Sequence, residues 1–494
     1  MGIRDKLSSG VSADAILLTF IKLVTTALGL ATTRLLSEYL SVHDYGTYSQ
    51  IMLVVSTIAS VTIFGMMDGV NYFYAGKNEE DEKESYVATI FALQCVISAV
   101  AGLVVMIMNR NICGYFGNED IGIYLIFAAI LPFLQNILGM SQVLFVSIGK
   151  ARLLAYRNLA ISTIRMISVF IVVFAVRSIL VILITTLVID IGQIAFFWII
   201  LRKNSCRLNW RKVHIKYFGD VIHYCTPMAI FLIINTLNRD IDKYLVSAMT
   251  DTETLAMYSN ASKQLPFDII MASFCTVLVP YITRYISNKN KEKAAELYKL
   301  FIEIAYVSTG ILCFAALSAS PQLMKLLYSN KYTDGLAIFC VYIFVDLFRF
   351  TNITLVLSAA GRTKRLMILG VGSLAFNALL NIVFYRVMGI IGPAVATLVV
   401  IVITGVIMLS FSASILETRL SKLFDLKYLI VFVLESVALT FALSKLREYL
   451  HGMNIHYFAI LVIVAGIYGI TMLLLNGKRL LSDLYRVNRV GYDE

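Results

Sequence analysis

Runs without a single charged residue dominate this chain and limit what it can become. No Asp, Glu, Lys or Arg occurs from Ser85 to Asn109, Ile121 to Gly149, Ile304 to Met324, Leu366 to Tyr385, Val387 to Leu416 or Tyr457 to Gly477. Each run reaches the ~20 residues that carry a helix across a bilayer. Adding runs broken by one or two charges predicts about fourteen spans. They lie near residues 12–36, 46–71, 85–109, 121–148, 153–176, 178–201, 219–248, 255–283, 299–320, 335–358, 366–386, 389–415, 428–446 and 455–476. Period-two alternation is absent, which argues against a membrane barrel. With 59% hydrophobic and 15% charged residues, against ~25% charged in soluble domains, a water-soluble enzyme is excluded. The expected fold class is an all-α polytopic membrane protein.

The net charge of +11 could point to nucleic acid, but the positions of the cations point elsewhere. If the N-terminal tail counts as loop zero, the tails and even-numbered loops hold 27 Lys and Arg and the odd-numbered loops hold 8. That is the positive-inside bias, and it predicts a multi-pass membrane protein with both termini cytoplasmic and no nucleic-acid partner. The small residues Ala13 and Ala15 precede the first apolar run rather than follow it, so a cleaved signal is not expected. Seven cysteines lie scattered, with no CxxC and no His cluster, so neither a metal nor a disulfide framework is predicted. No Walker A, HExxH or GxGxxG motif is present, and no cofactor is expected.

A weak internal repeat organises the chain. Asp44 to Ser49 align with Thr254 to Ser259 at an offset of 210, and Gly149-Lys150-Ala151-Arg152 align with Gly361-Arg362-Thr363-Lys364 at 212. Six spans separate the copies, and an even number preserves orientation. The halves are therefore expected to be two six-helix bundles related by a pseudo-two-fold axis along the membrane normal. The predicted division is residues 1–201, a basic cytoplasmic linker over 202–216 lying on anionic lipids, residues 217–416, and two extra helices with a basic tail over 417–494. No outer loop is long enough for a catalytic domain, and the chain reads as a transporter rather than an enzyme.

Lys22, Arg165, Arg239, Lys243, Lys263 and Arg349 fall inside predicted spans. A cation in hydrocarbon costs ~2.5 to 3.5 kcal/mol on insertion scales, so all six are expected to face protein or water. Polar stripes support that reading: Lys22, Thr26, Gly29 and Thr33 in the first span, and Asn158, Ser162 and Arg165 in the fifth. Pairing three apart, Arg239 with Asp242, Asp240 with Lys243 and Asp346 with Arg349, is the simpler alternative. Lys22, Arg165 and Lys263 have few acids in their own spans, and unpaired cations in a wet cavity would attract an anion such as a diphosphate.

Several stretches resemble the polysaccharide-biosynthesis branch of the multidrug/oligosaccharidyl-lipid/polysaccharide (MOP) exporter superfamily, whose fold is MATE-like. They are the junction Arg34-Leu35-Leu36-Ser37-Glu38-Tyr39-Leu40-Ser41-Val42-His43-Asp44-Tyr45-Gly46-Thr47-Tyr48; Asp242-Lys243-Tyr244-Leu245 followed by Ala256-Met257-Tyr258-Ser259; and Gly389-Ile390-Ile391-Gly392-Pro393-Ala394-Val395-Ala396-Thr397. Ala256 and Pro393 depart from the family pattern. The resemblance implies a flippase that moves undecaprenyl-diphosphate-linked oligosaccharide by alternating access for O-antigen, capsule or exopolysaccharide assembly, working beside a polymerase and chain-length proteins. Lys22, Arg34, Arg165, Arg239, Lys243, Lys263 and Arg349 are the candidate cavity lining, and Asp68, Asp240 and Asp346 the candidates for ion coupling. A cation-coupled drug exporter of the sister branch would be expected to show an acidic and aromatic lining instead, and a polysaccharide polymerase a large outer loop.

Overall fold

A backbone in hydrocarbon must satisfy its own N–H and C=O groups, and a helix does so within one segment. The computed structural model describes residues 10–76, 79–203, 209–268, 278, 281–349 and 354–492, and every regular element among them is helical. Among the described residues eleven helical stretches are long and apolar enough to cross a membrane. One of these, Lys364–Ile415, is two helices joined by a three-residue 3-10 turn, Gly389–Ile391. The chain is a multi-pass membrane protein.

Two compact units divide the chain, Met1–Ala256 and Met257–Glu494. The first contains α1 (Gly10–Tyr39), α2 (Val42–Thr62), α3 (Met66–Gly76), α4 (Glu80–Ile107), α5 (Asn109–Phe116), α6 (Ile121–Ala128), α7 (Leu131–Ser147), α8 (Ala151–Ala175), α9 (Ile179–Lys203) and α10 (Phe218–Met249). Helix α7 touches α2, α3, α4 and α9, α1 lies along α8, and α10 packs on α2, α3 and α4. Ile90, Phe91, Met140 and Phe145 fill the core around α7, and Phe145 meets Phe197 of α9 edge-on at 4.7 Å.

Helix α11 (Thr252–Ala261) runs across the boundary. The second unit continues with α12 (Lys291–Ser318), α13 (Ser320–Tyr328), α14 (Leu336–Arg349), α15 (Leu355–Ala359), α16 (Thr363–Met388), α17 (Gly392–Ile415), α18 (Leu426–Gly452) and α19 (Tyr457–Tyr492). Its centre is α12, which carries buried Leu297, Tyr298 and Phe301 and packs against α14, α18 and α19.

The repeat is visible in the backbone. Helix α4 has 28 residues followed by the short α5, and 211 positions later α12 has 28 followed by the short α13. Gly149 and Gly361 both adopt the left-handed region, at φ 76° and 67°. Each is followed by a basic residue whose N–H reaches back five positions, Lys150 to the Phe145 carbonyl at 3.0 Å and Arg362 to the Leu357 carbonyl at 2.9 Å. These are the same helix C-cap, in which a glycine avoids the Cβ clash and the spent carbonyls regain donors.

The predicted spans over 46–71, 121–148 and 255–283 are not single helices, the second being α6 and α7. The span over 46–71 is α2 and α3, parted where Phe64 and Gly65 take φ of 46° and 68°. Buried amides sustain the break: Gln94 donates to the Thr62 carbonyl at 3.0 Å, replacing the bond a continuing helix would have made, and Asn136 donates to the Thr62 hydroxyl at 2.8 Å. The span over 255–283 unwinds after Ala261 into a 3-10 turn, Pro266–Asp268, and residues 269–277 and 279–280, Cys275 and Pro280 among them, lie outside the described residues. The span over 335–358 includes 350–353, also outside them, as are 204–208 of the predicted linker.

Candidate functional site

The Asp44 to Tyr48 segment sets the position of α2. Ser41 caps the helix, accepting from the Asp44 N–H at 3.0 Å while its hydroxyl donates to the Asp44 carboxylate at 2.6 Å. Gly46 lies so close to the start of α11 that a Cβ would stand 2.3 Å from the Thr252 carbonyl oxygen. One turn on, Asn118 donates to Thr47 at 2.9 Å and to Gln50 at 2.8 Å, and the Gln50 amide reaches Ser247 and Thr252, each at 3.4 Å. All of these groups are buried, and the network fixes the register of α2 against α10 and α11.

That register directs Tyr48 at a cavity of about 70 Å³ between α1, α2, α8 and α9, near the end that carries the α1–α2 and α8–α9 turns. Its polar lining is Thr32, Tyr48, Arg165, Ser168, Thr185 and Thr186. Arg165 is anchored through one N–H to Asp190, which is fully buried on α9, while 42% of its side chain stays exposed. Gln193 donates to the same Asp190 oxygen at 2.8 Å, and Arg157 donates to Gln193 and, at 2.8 Å, to Asn158. The Arg157 guanidinium lies 4.6 Å from the Phe197 ring centre. The cluster thus holds two guanidiniums and one carboxylate, with Arg157 linked to Asp190 through Gln193, and keeps a surplus positive charge. The free edge of Arg165, with the Tyr48 and Ser168 hydroxyls, forms a donor set for an oxyanion, whereas the Thr32, Thr185 and Thr186 hydroxyls donate to carbonyls of their own helices. The volume admits about two waters and is too small for a saccharide.

The other candidates are distributed as follows. Arg34 pairs with Glu38 on its own helix at 2.6 Å. Lys22 is exposed on α1, and the nearby Thr25 and Thr26 hydroxyls are taken up by its carbonyl at 2.9 and 2.8 Å, so that stripe is partly self-satisfied. Arg239 and Lys243 converge on buried Asp240 at 3.2 and 2.7 Å. The expected Asp240–Lys243 pair is present, whereas Arg239 turns to Asp240 rather than to Asp242. Asp68 is exposed in the first turn of α3. In the second unit Lys263 is exposed at the unwound end of α11, and Arg349, half-buried, ends α14. Asp346 is buried and accepts from the Leu265 N–H at 3.0 Å, holding the unwound segment in place.

The expectation that Arg165 lacks an acid is corrected by Asp190. Its partner comes from the neighbouring helix, which the spacing within one span cannot reveal. Arg157, near the start of α8 and absent from the candidate lining, is 8% exposed and belongs to the cluster. Asp190 and Gln193 stand three apart on α9, as Arg157 and Arg165 stand eight apart on α8, and those spacings were the available signal. The second unit also has an apolar groove of about 350 Å³ between α12, α14, α17 and α18, lined by residues such as Tyr306, Val402, Leu409, Leu429 and Val433. No feature of the sequence singled it out.

A model of the family described as "Polysaccharide biosynthesis protein" matches residues 33–337. Among curated proteins, "Probable lipid II flippase MurJ" of Rhizobium meliloti (strain 1021) is 24% identical over 139 residues, which are 28% of this chain and 26% of the relative, so the matched part spans about a quarter of that protein. Among solved structures, "Lipid II flippase MurJ, inward closed conformation" superposes with a TM-score of 0.71 at 20% identity, over 95% of this chain and all of that one. The inward-facing conformation of a multidrug resistance MATE family transporter of the MOP superfamily gives 0.64 at 12% identity, over 80% and 96%. These likenesses establish the MOP-type fold.

Proposed function

The chain belongs to the polysaccharide biosynthesis protein family, and from that premise we propose that it is a flippase for lipid-linked oligosaccharide carried on a polyprenyl diphosphate. The observation that carries the reading is Arg165, tethered by a fully buried carboxylate yet presenting its free edge to a hydroxyl-lined cavity. A cation held this way favours an anionic headgroup such as a diphosphate over the cationic drugs of the sister branch. The apolar groove in the second unit supports the same reading, since a polyprenyl tail needs a hydrocarbon-like surface. The lipid II named for the MurJ relative is likewise a lipid-linked cargo. On this reading Lys22, Arg34, Arg239, Lys243, Lys263 and Arg349 contribute to the cationic lining at some stage of alternating access. Asp68, exposed among the three candidate carboxylates, exchanges an ion or proton with water more readily than Asp240 or Asp346. The positive-inside pattern supports cytoplasmic termini, and a polyprenyl-diphosphate cargo fits a place in the bacterial inner membrane.

The test is flipping in proteoliposomes loaded with a fluorescent polyprenyl-diphosphate oligosaccharide. Arg165→Ala, Lys263→Ala and Arg349→Ala each slow it, and a glycoside on an uncharged polyprenol moves no faster than in empty vesicles. Unchanged flipping in all three variants, or equal transport of the uncharged analogue, would overturn the assignment.

A further inference from the structure

Residues Asn209 to Tyr217, before α10, form a segment with two dissimilar sides. One side is fastened to α4: the Lys212 ammonium lies 2.6 Å from both Asp81 and Glu84, and the His214 N–H donates to Thr89 at 3.3 Å. The Tyr217 ring lies 4.2 Å from Tyr86, whose hydroxyl donates to Asp220 at 2.9 Å. The other side is held less firmly, by ring contacts: Trp210 lies 6.1 Å from Trp198 between ring centres, and the Lys216 ammonium 4.6 Å from the Tyr217 ring centre. Trp210 is 44% exposed and Ile215 83% exposed. Arg211, Lys216, Arg202 and Lys203 are also exposed, and among the described residues none of these four makes an ion pair. No acidic residue occurs anywhere from Arg202 to Lys216.

The position identifies what these groups meet. The segment follows one membrane-crossing stretch, Ile179–Lys203, and leads into another, Ile215–Met249, so it lies at the boundary between hydrocarbon and water. An exposed indole beside a bare isoleucine suits that boundary, and unmatched cations beside them suit phosphate. Lys212 has a different part. Its two carboxylates neutralise it, and it anchors the segment so that its neighbours face outward.

We propose that Trp210, Arg211, Ile215 and Lys216, with Arg202 and Lys203 behind them, form a docking surface for anionic phospholipid headgroups, pinned to α4 by Lys212. Trp210 and Ile215 enter the acyl boundary while the cations hold the phosphate. The surface is independent of cargo chemistry, so its failure and that of the flippase reading are separable.

The chain has only two tryptophans, Trp198 and Trp210, which makes the test direct. Full-length Trp198→Phe protein is reconstituted in bilayers that contain, at equal mole fraction, brominated phosphatidylglycerol or brominated phosphatidylcholine. Trp210 emission is quenched more by the brominated phosphatidylglycerol. Each unmatched cation enriches the anionic lipid locally by roughly five-fold at low salt, and high salt reduces the difference. Adding Arg211→Gln and Lys216→Gln removes the preference while quenching persists. Trp210→Phe, which keeps only Trp198, reports whether the reconstituted fold is intact. Equal quenching by the two lipids, or no quenching by either, would overturn the proposal.

Discussion

A methyl group added at Gly46 would collide with backbone, since its Cβ would stand 2.3 Å from the Thr252 carbonyl oxygen. Gly46→Ala is therefore expected to cost about 1 to 3 kcal/mol through forced separation of α2 and α11. Gly29→Ala, where nothing lies within 4 Å, should be neutral or stabilising by about 0.5 to 1 kcal/mol. Thermal unfolding of the two detergent-solubilised variants checks the contrast, and an equal shift would remove the steric account. Asp190 raises a different question. Its Oδ1 receives Arg165 and Gln193, while no donor reaches its Oδ2 among the described residues. Its role is to position Arg165, so Asp190→Asn should reduce flipping about as much as Arg165→Ala. The double variant should then be no slower than either single one, because the two changes remove one device. Additive losses would separate the residues.

At the scale of elements, α18 and α19 are fastened to α12 by a cluster of charges rather than by apolar packing alone. Asp425 caps α18 through the Tyr428 N–H at 3.1 Å, its own N–H donates to buried Glu303 of α12 at 2.8 Å, and its carboxylate accepts from Arg479 of α19 at 2.8 Å. The Arg479 bond, then the backbone bond from Tyr428, holds the Asp425 carboxyl below its ordinary 3.8. A depressed folded value means that the stabilisation is complete above the unfolded value near ~3.9 and lost as pH falls through the folded one. The melting temperature should therefore drop on acidification below about pH 4. Asp425→Asn should lower it at neutral pH and flatten that acid limb, and parallel curves would exclude Asp425 from the effect. The existence of most helices was legible because uncharged runs of bilayer length leave little choice. The interruptions after Thr62 and Ala261 were not, because the groups that sustain them, Gln94, Asn136 and Asp346, come from distant segments. Lys263 illustrates the limit: it reads in the sequence as a cation within a span, and it stands where that span unwinds.

For the molecule as a whole, the first unit has a cationic, hydroxyl-lined cavity and the second an apolar groove, while the proposed cargo is part anion and part hydrocarbon. The cations were legible because a charge inside a hydrophobic run is conspicuous. The groove was not, because Leu, Val and Ile facing a groove and the same residues facing lipid give one pattern. If the groove carries the polyprenyl chain, transport should depend on chain length through its walls. Leu429 and Val433 of α18 line it from one side and Val402 and Leu409 of α17 from another, enclosing about 350 Å³. Val433→Trp fills part of that volume without adding charge. It should slow flipping of a long-chain diphosphate oligosaccharide several-fold, while a short-chain analogue with the same sugars, too small to occupy the groove, moves at the unmodified rate. Arg165→Ala should slow both, because both carry the diphosphate. Parallel losses for the two cargoes in Val433→Trp would mean that the tail stays in the bilayer during transport and that the groove serves only the packing of α18.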